Sequence, residues 1–99
     1  MTYECIDIEQ TIVLAEEEQA VIIDIRDSGS FQSGHIESAI HIHSDNMQTF
    51  VESANKSLPL IVCCYHGHMS KGAANFFGQQ GFEKSYSLDG GYTEWAKRL

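Results

Sequence analysis

The sequence predicts an α/β fold in which a central parallel sheet is covered by helices on both faces. Two observations lead to this prediction. Residues 20–25 and 60–63 are apolar almost throughout, which is typical of strands buried on both faces of a sheet. Stretches with helical spacing of apolar residues lie between and after them, so strands and helices alternate along the chain. Because no linker or internal repeat interrupts the sequence, we expect residues 1–99 to form a single domain.

The first half of the chain is expected to contain one helix and two strands. Asp7 followed by Gln10 has the pattern of a capping box and predicts a helix directly after it. The strand at 20–25 comes next. Residues 26–38 contain two glycines and several serines, which indicates a long structured connection. A short strand is expected at 39–42.

The second half is expected to contain three helices and two strands. Ser44 or Asp45 is expected to cap the first of these helices, in which apolar residues recur with helical spacing. After the central strand, Ser70 is expected to cap the next helix, and Gly81 is expected to end it. A strand at 84–88 and a Gly-Gly turn then lead into the last helix.

Composition and charge exclude several classes of protein. A net charge of −8 argues against nucleic acid as a partner, since a nucleic-acid-binding domain needs a basic surface. No apolar run approaches the ~20 residues of a membrane-spanning helix. Cys5, Cys63 and Cys64 are odd in number and two are adjacent, which argues against a disulfide framework. Reduced thiols and the lack of a signal peptide favour a cytoplasmic location.

The stretch from Cys64 to Lys71 carries the strongest functional signal. Cys64 stands where an apolar run ends, a short loop containing Gly67 follows, and Ser70 opens an Ala-containing helical segment. A loop curled over a helix N-terminus points its N–H groups at one centre, and the helix dipole adds positive potential there. Such a position favours the nucleophilic thiolate. We therefore expect Cys64 to be reactive and Cys63, within the apolar run, to be structural.

Three further polar residues are expected to support this edge of the sheet. Asp24 and Arg26 could form a weak surface ion pair, but a buried pair would lock the loop beside the reactive cysteine, and we favour that structural role. His35 is expected to face the core and to bond to the backbone rather than act in catalysis.

His66 and His68 have three possible roles. They could lie at the surface, supply positive or hydrogen-bonding character near an anion, or bind a metal. With the two adjacent cysteines they have the composition of a metal cluster, but that pair lacks the spacing of zinc ligands, and no second pair lies elsewhere. No metal is therefore expected.

A cysteine that opens an anion-binding loop has two well-known uses. Phosphate-ester hydrolysis requires an arginine at the end of the loop to bind the phosphoryl oxygens. Here Ser70 occupies that position, and the arginines of the sequence are Arg26 and Arg98. Sulfur transfer through a persulfide needs only a cradle of N–H donors. The residues therefore favour sulfur over phosphate.

Taken in order, several segments resemble the single-domain rhodanese family, most closely the thiosulfate sulfurtransferases of bacterial glycerol-3-phosphate operons. The matching segments are 21–27, 34–36 with Ala39, 64–67, 70–74, 81–82, and 88–92 with Trp95. Each segment alone is weak, but the ordered set is specific and covers nearly the whole chain.

The resemblance implies a rhodanese-like sheet of about five strands and a catalytic Cys64 that cycles between thiolate and persulfide. It implies thiosulfate as sulfur donor and cyanide, a small thiol or a dithiol such as thioredoxin as acceptor; no cofactor is expected. The residues expected to bind substrate are Tyr65, His66, Gly67, His68, Met69, Ser70 and Lys71. Those expected to support the site are Asp24, Arg26 and His35.

The loop itself both fits and departs from the family. The six-residue loop from Cys64 to Met69 has the length that family members use for sulfur, whereas phosphatases of this fold use one residue more. His68 and Met69 stand where closer relatives carry small polar residues, which could alter the donor preference. Two alternatives stay open: an arsenate reductase or phosphatase, and a sulfur-carrier or partner-binding module without thiosulfate turnover.

Overall fold

The computed structural model describes residues 2–98, which contain five strands and five helices. The strands are β1 (Glu4–Ile6), β2 (Val21–Asp24), β3 (Ile40–His41), β4 (Leu60–Cys63) and β5 (Ser85–Leu88). The helices are α1 (Ile8–Glu17), α2 (Ser28–Ser33), α3 (Met47–Ser53), α4 (Met69–Gln79) and α5 (Gly91–Ala96).

The strands form one parallel sheet with the order β1-β5-β4-β2-β3, so the expected fold is confirmed. Strand β4 lies in the centre, with Cys63 opposite Asp24 of β2 and Val62 opposite Ser87 of β5. In a parallel sheet all strands end at the same edge. The segments that follow Asp24, Cys63 and Leu88 therefore meet there.

Helices cover both faces of the sheet, and each face has its own apolar cluster. On the face covered by α3 and α4, the buried members are Ile23, Ile42, Val51, Leu60, Val62, Ala74, Phe77 and Phe82. On the face covered by α1 and α5, they are Ile6, Ile22, Ile36, Ile61, Cys63 and Leu88. Because side chains alternate along a strand, the continuous apolar run of β4 supplies both clusters.

Two elements were not expected from the sequence. Strand β1 is three residues long and only Ile6 is buried, so it produces no apolar run; its pairing with β5 defines it. Helix α2 lies inside the stretch expected to be a connection. It is six residues long, begins after Asp27, whose carboxylate accepts from the N–H of Ser30, and contains no fully buried residue.

The helix boundaries confirm some expected caps and correct others. The capping box of Asp7 and Gln10 is present. Neither Ser44 nor Asp45 caps α3; Asn46 precedes the helix, and its side chain instead accepts from the N–H of His43 and donates to the carbonyl of His41. No helix within residues 2–98 has the length and apolar character needed to cross a bilayer.

Candidate active site

The sulfur of Cys64 lies at the centre of the loop that joins β4 to α4. The backbone N–H groups of Gly67 and Ser70 both donate to Sγ at 3.2 Å, and the Ser70 hydroxyl oxygen lies 3.2 Å from Sγ. The residue is only 1% exposed. The loop thus surrounds the sulfur with hydrogen-bond donors, which is an arrangement suited to a negatively charged sulfur atom.

Further donors of the loop are free to receive an anion. Within residues 2–98, the backbone N–H groups of Tyr65, His66, His68 and Met69 have no acceptor within hydrogen-bond distance. The N–H of Lys71 is different, because it donates to the His68 carbonyl at 3.3 Å. The side chains of His66, His68, Met69 and Lys71 are exposed, so they can meet an incoming molecule rather than pack in the core.

The expected role of Ser70 as helix cap is wrong. His68 precedes the first residue of α4, and Ser70 is the second residue of the helix. Its backbone N–H is directed at Cys64 Sγ, and its fully buried side chain lies between that sulfur and the interior. The Ser70 hydroxyl therefore lies beside the sulfur, with Oγ 3.2 Å from Cys64 Sγ.

The turn before α5 holds the loop from the other side. Gly91 has a φ of +58°, and a Cβ there would lie 2.5 Å from the Cys64 carbonyl oxygen. This close approach allows the N–H of Tyr92 to donate to the Cys64 carbonyl at 2.8 Å and that of Thr93 to the Tyr65 carbonyl at 3.1 Å. Gly67, at φ +93°, packs in the same way against the backbone of Gly90. The Gly-Gly turn therefore fixes the shape of the loop.

The Tyr65 side chain ties the loop to α2 rather than pointing at the sulfur. Its hydroxyl donates to the carboxylate of Asp27 and accepts from the Asp27 N–H at 3.1 Å. The bonds from Tyr65 and then from Ser30 hold the pKa of the Asp27 carboxyl well below its ordinary value of 3.8. No local sequence pattern singles out Asp27, because this contact depends on how α2 folds back over the sheet edge.

The adjacent cysteines have opposite environments. Cys63 is fully buried in the cluster beneath α1 and α5, whereas Cys64 turns toward α4 and the loop amides. Burial, followed by the nearby charge of Asp24, raises the pKa of the Cys63 thiol to about 12. Cys63 therefore stays protonated, in agreement with its expected structural character, while the loop surrounds only Cys64.

Asp24 and Arg26 form the buried pair that the sequence favoured. The Arg26 Nη2 donates to Asp24 Oδ2 at 2.8 Å and to the Gly34 carbonyl at 2.7 Å, and the guanidinium carbon lies 4.3 Å from the centre of the Tyr92 ring. Burial alone would lower the Arg26 pKa, but the hydrogen bond and charge of Asp24 outweigh it and raise the pKa. The pair joins the end of β2, the segment after α2 and the start of α5.

His35 was expected to face the core, and this part of the expectation is wrong. The side chain is exposed and its ring stacks on Phe31, with 3.8 Å between ring centres. Its Nδ1 lies 2.7 Å from the Phe31 carbonyl oxygen, so the expected bond to backbone is present. His35 stays at the surface after the short helix α2, and its neighbour Ile36 is the residue that is buried in the apolar cluster.

Ser87 is a neighbour of the site that sequence reasoning missed. Its fully buried Oγ lies 2.7 Å from Ser70 Oγ. A serine in a short strand carries no local signal for such a contact, since the register of β5 against β4 brings it there. In the described part of the chain, no three His, Cys, Asp or Glu side chains are grouped to hold a metal ion.

Comparisons with known proteins agree with this architecture. A model of the rhodanese-like domain matches residues 8–98. The human single-domain sulfurtransferase TSTD1 is 15% identical, with a TM-score of 0.81 and 96% of each chain covered. A rhodanese-related protein from Thermoplasma volcanium is 21% identical, with a TM-score of 0.78, over 97% of this chain and 93% of that one.

A third similar structure is the rhodanese-like domain of an Anabaena protein. It is 26% identical, with a TM-score of 0.71, and the match covers 79% of this chain and 91% of that one. Since the family model spans residues 8–98 of 99, the chain belongs to the rhodanese-like domain family.

Proposed function

We propose that this protein is a thiosulfate sulfurtransferase that carries sulfur on Cys64. The single observation that carries the proposal is the set of donors around this sulfur: two backbone N–H groups and a hydroxyl at 3.2 Å, in a loop whose remaining N–H groups are free. Such a cradle stabilises a thiolate and then the negative outer sulfur of a persulfide.

The reaction has two displacement steps. The Cys64 thiolate attacks the outer sulfur of thiosulfate, a new S–S bond forms, and sulfite leaves with the electron pair of the bond that breaks. In the second step the carbon of cyanide attacks the outer sulfur, which gives thiocyanate and regenerates the thiolate. A dithiol such as thioredoxin can accept instead, becoming a disulfide as hydrosulfide is released. This scheme predicts ping-pong kinetics.

The distribution of charge around the loop supports the first step. The side chains of His66, within the loop after Cys64, and of Lys71, just beyond it, are exposed. Residues 66–71 contain no acidic side chain, although the protein as a whole has a net charge of −8. A dianion such as thiosulfate is therefore favoured at this edge over the rest of the surface. The proposed setting is a reducing compartment such as the cytoplasm, where a free thiol persists.

The arginines argue against phosphate chemistry. Arg26 is held by Asp24 and the Gly34 carbonyl, and Arg98 pairs with Glu9. Neither is available to clamp a phosphoryl group from the end of the loop, which is what a phosphocysteine mechanism requires.

The test is intact-protein mass spectrometry after brief incubation with thiosulfate. The expected result is a gain of one sulfur atom that disappears on adding cyanide. Cys64→Ser is expected to gain none, and the matched neighbour Cys63→Ala is expected to load as the wild type does. Absence of loading in the wild type, or loading of Cys64→Ser, would refute the proposal. Turnover of arsenate or phosphate esters, or loading only from a partner protein's persulfide, would then identify which alternative holds.

A further inference from the structure

Ser87 belongs to a continuous buried chain of polar side chains that ends on the reactive sulfur. It lies on β5, opposite Val62 of β4, and is fully buried. Its Oγ is 2.7 Å from Ser70 Oγ, and Ser70 Oγ is 3.2 Å from Cys64 Sγ. Ser70 is also fully buried. Residues from β5, from α4 and from the end of β4 are thus joined by two contacts.

The direction of these hydrogen bonds follows from counting acceptors. Within residues 2–98, the Ser87 hydroxyl has one polar partner, Ser70 Oγ. A buried hydroxyl without an acceptor is costly, so Ser87 donates to Ser70. The Ser70 hydroxyl hydrogen is then left for Cys64 Sγ, which lies 3.2 Å from Ser70 Oγ: a Cys64 thiol donates to that oxygen, whereas a Cys64 thiolate accepts the Ser70 hydrogen.

The chain also fits one ionisation state of the cysteine better than the other. When Cys64 is a thiolate, the hydrogens of Ser70 and Ser87 fill both contacts, and both point toward the sulfur. When Cys64 is a thiol, its S–H hydrogen joins the hydroxyl hydrogens of Ser70 and Ser87, so three hydrogens compete for two contacts. One of these buried hydrogens then has no acceptor among the three side chains. A hydroxyl that itself accepts a hydrogen bond is also the stronger donor, because aligned bonds polarise one another.

We propose that Ser87 is a positioning residue that directs the Ser70 hydroxyl at Cys64 Sγ and thereby favours the reactive thiolate. This inference rests on the proposed function in taking Cys64 as the nucleophile, but not on the identity of the sulfur donor. Ser87 makes no hydrogen bond with the sulfur; it acts only through Ser70.

Strand β5 offers a matched control one step away. Ser85 lies on the same face of β5, is almost as buried, and donates to the Ala74 carbonyl of the same helix α4 at 2.7 Å. It makes no hydrogen bond with Ser87, Ser70 or Cys64. Ser85→Ala therefore removes an equivalent buried hydroxyl without the proposed effect.

The surrounding charges are unchanged by these substitutions. The titratable groups on the adjoining segments are Cys63 at the end of β4, Tyr65, His66 and His68 in the loop, Lys71 on α4, Tyr86 on β5 and Asp89 after β5. All of them are kept in Ser87→Ala and in Ser85→Ala. A difference between the two variants therefore reports on the hydroxyl chain.

The experiment measures the rate of Cys64 alkylation by iodoacetamide against pH, resolved from the other cysteines by tandem mass spectrometry. In Ser87→Ala alkylation of Cys64 at pH 7 is expected to be about threefold slower than in the wild type. In Ser70→Ala it is expected to be about tenfold slower. The double variant is expected to match Ser70→Ala alone, and Ser85→Ala to match the wild type.

The proposal would be overturned by an unchanged profile in Ser87→Ala, by an equal shift in Ser85→Ala, or by a shift in the double variant that is the sum of the shifts in the single variants. Circular dichroism and assay at low temperature guard against loss of folding. Ser87→Thr keeps a hydroxyl on the same Cβ and is expected to keep the wild-type profile; a shift like that of Ser87→Ala would also overturn the proposal. Because alkylation needs no sulfur donor, failure of thiosulfate to load Cys64 would refute only the proposed function.

Discussion

Replacement of Asp24 by asparagine is expected to be among the most destabilising single changes in this protein. Asp24 is fully buried and receives hydrogen bonds from the backbone N–H, Nε and Nη2 of Arg26. Asp24→Asn keeps the shape of the side chain but removes its charge. It also turns an acceptor into an NH₂ donor that faces the donors of the guanidinium.

The size of the effect follows from the burial of both partners. The Arg26 side chain is 6% exposed and that of Asp24 is 0% exposed, so solvent does little to screen an unpaired guanidinium. Removing one partner of a buried ion pair typically costs about 3–5 kcal/mol. Domains are stable by only about 5–15 kcal/mol. For a chain of this size the loss corresponds to a fall in Tm of about 15–30 °C.

Urea unfolding followed by far-UV circular dichroism and Trp95 fluorescence measures this loss. The control is Glu18→Gln, which breaks the surface pair in which Glu18 and Lys84 are about half exposed at 3.3 Å, and which is expected to cost less than about 1 kcal/mol. If Asp24→Asn cost no more than Glu18→Gln, the buried pair would not hold the loop in the way described.

Three further predictions concern the loop and its neighbours. Because folding lowers the pKa of the Asp27 carboxyl, Asp27 stabilises the folded state at pH values above its pKa in the unfolded chain, and this contribution is lost as pH falls below about 4. In melting curves recorded over a series of pH values, Tyr65→Phe is expected to lose less stability at acid pH than the wild type, and an unchanged series would contradict this. Because the pKa of the Cys63 thiol is raised to about 12, Cys63 stabilises the folded state below about pH 9, and this contribution is lost at higher pH. Cys63→Ala is expected to lose less stability at alkaline pH than the wild type in the same series, whereas an equal loss would contradict the raised pKa that we attribute to burial. Gly91→Ala is expected to displace the loop backbone and to abolish sulfur loading of Cys64. The control is Gly72→Ala, where an added Cβ meets nothing within 4 Å; this variant is expected to load normally and to stabilise α4 by about 0.5–1 kcal/mol. Equal loading by both variants would contradict the role of the Gly-Gly turn.

Local sequence was a good guide wherever a feature depends on neighbours in the chain. The apolar run of β4, the capping box before α1 and the glycine after α4 each contain the information for their own element. The position of Cys64 at the end of that run was enough to expect a reactive thiol in a loop before a helix. The expected N-terminal caps of α3 and α4 were wrong: Asn46 rather than Ser44 or Asp45 precedes α3, and Ser70 lies inside α4, where its N–H donates to Cys64 Sγ.

Elements without a local pattern could not be predicted. Strand β1 is too short and too exposed to show periodicity, and it exists because β5 offers it an edge. Helix α2 has residues of modest helical propensity and is held by its Asp27 cap and by the contact of that carboxylate with Tyr65. His35 was placed in the core by its residue type, but a six-residue helix left it at the surface.

The sequence alone therefore determined the fold class and the position of Cys64 in a loop between a buried strand and a helix, because hydrophobic period and turn residues act over a few neighbouring positions. Only the tertiary structure decided which distant groups surround that cysteine. The register of β5 brings Ser87 to Ser70, and the positive φ of Gly91 brings α5 against the loop. Such contacts join residues far apart in the chain, so they depend on how strands pair and helices pack rather than on any local pattern.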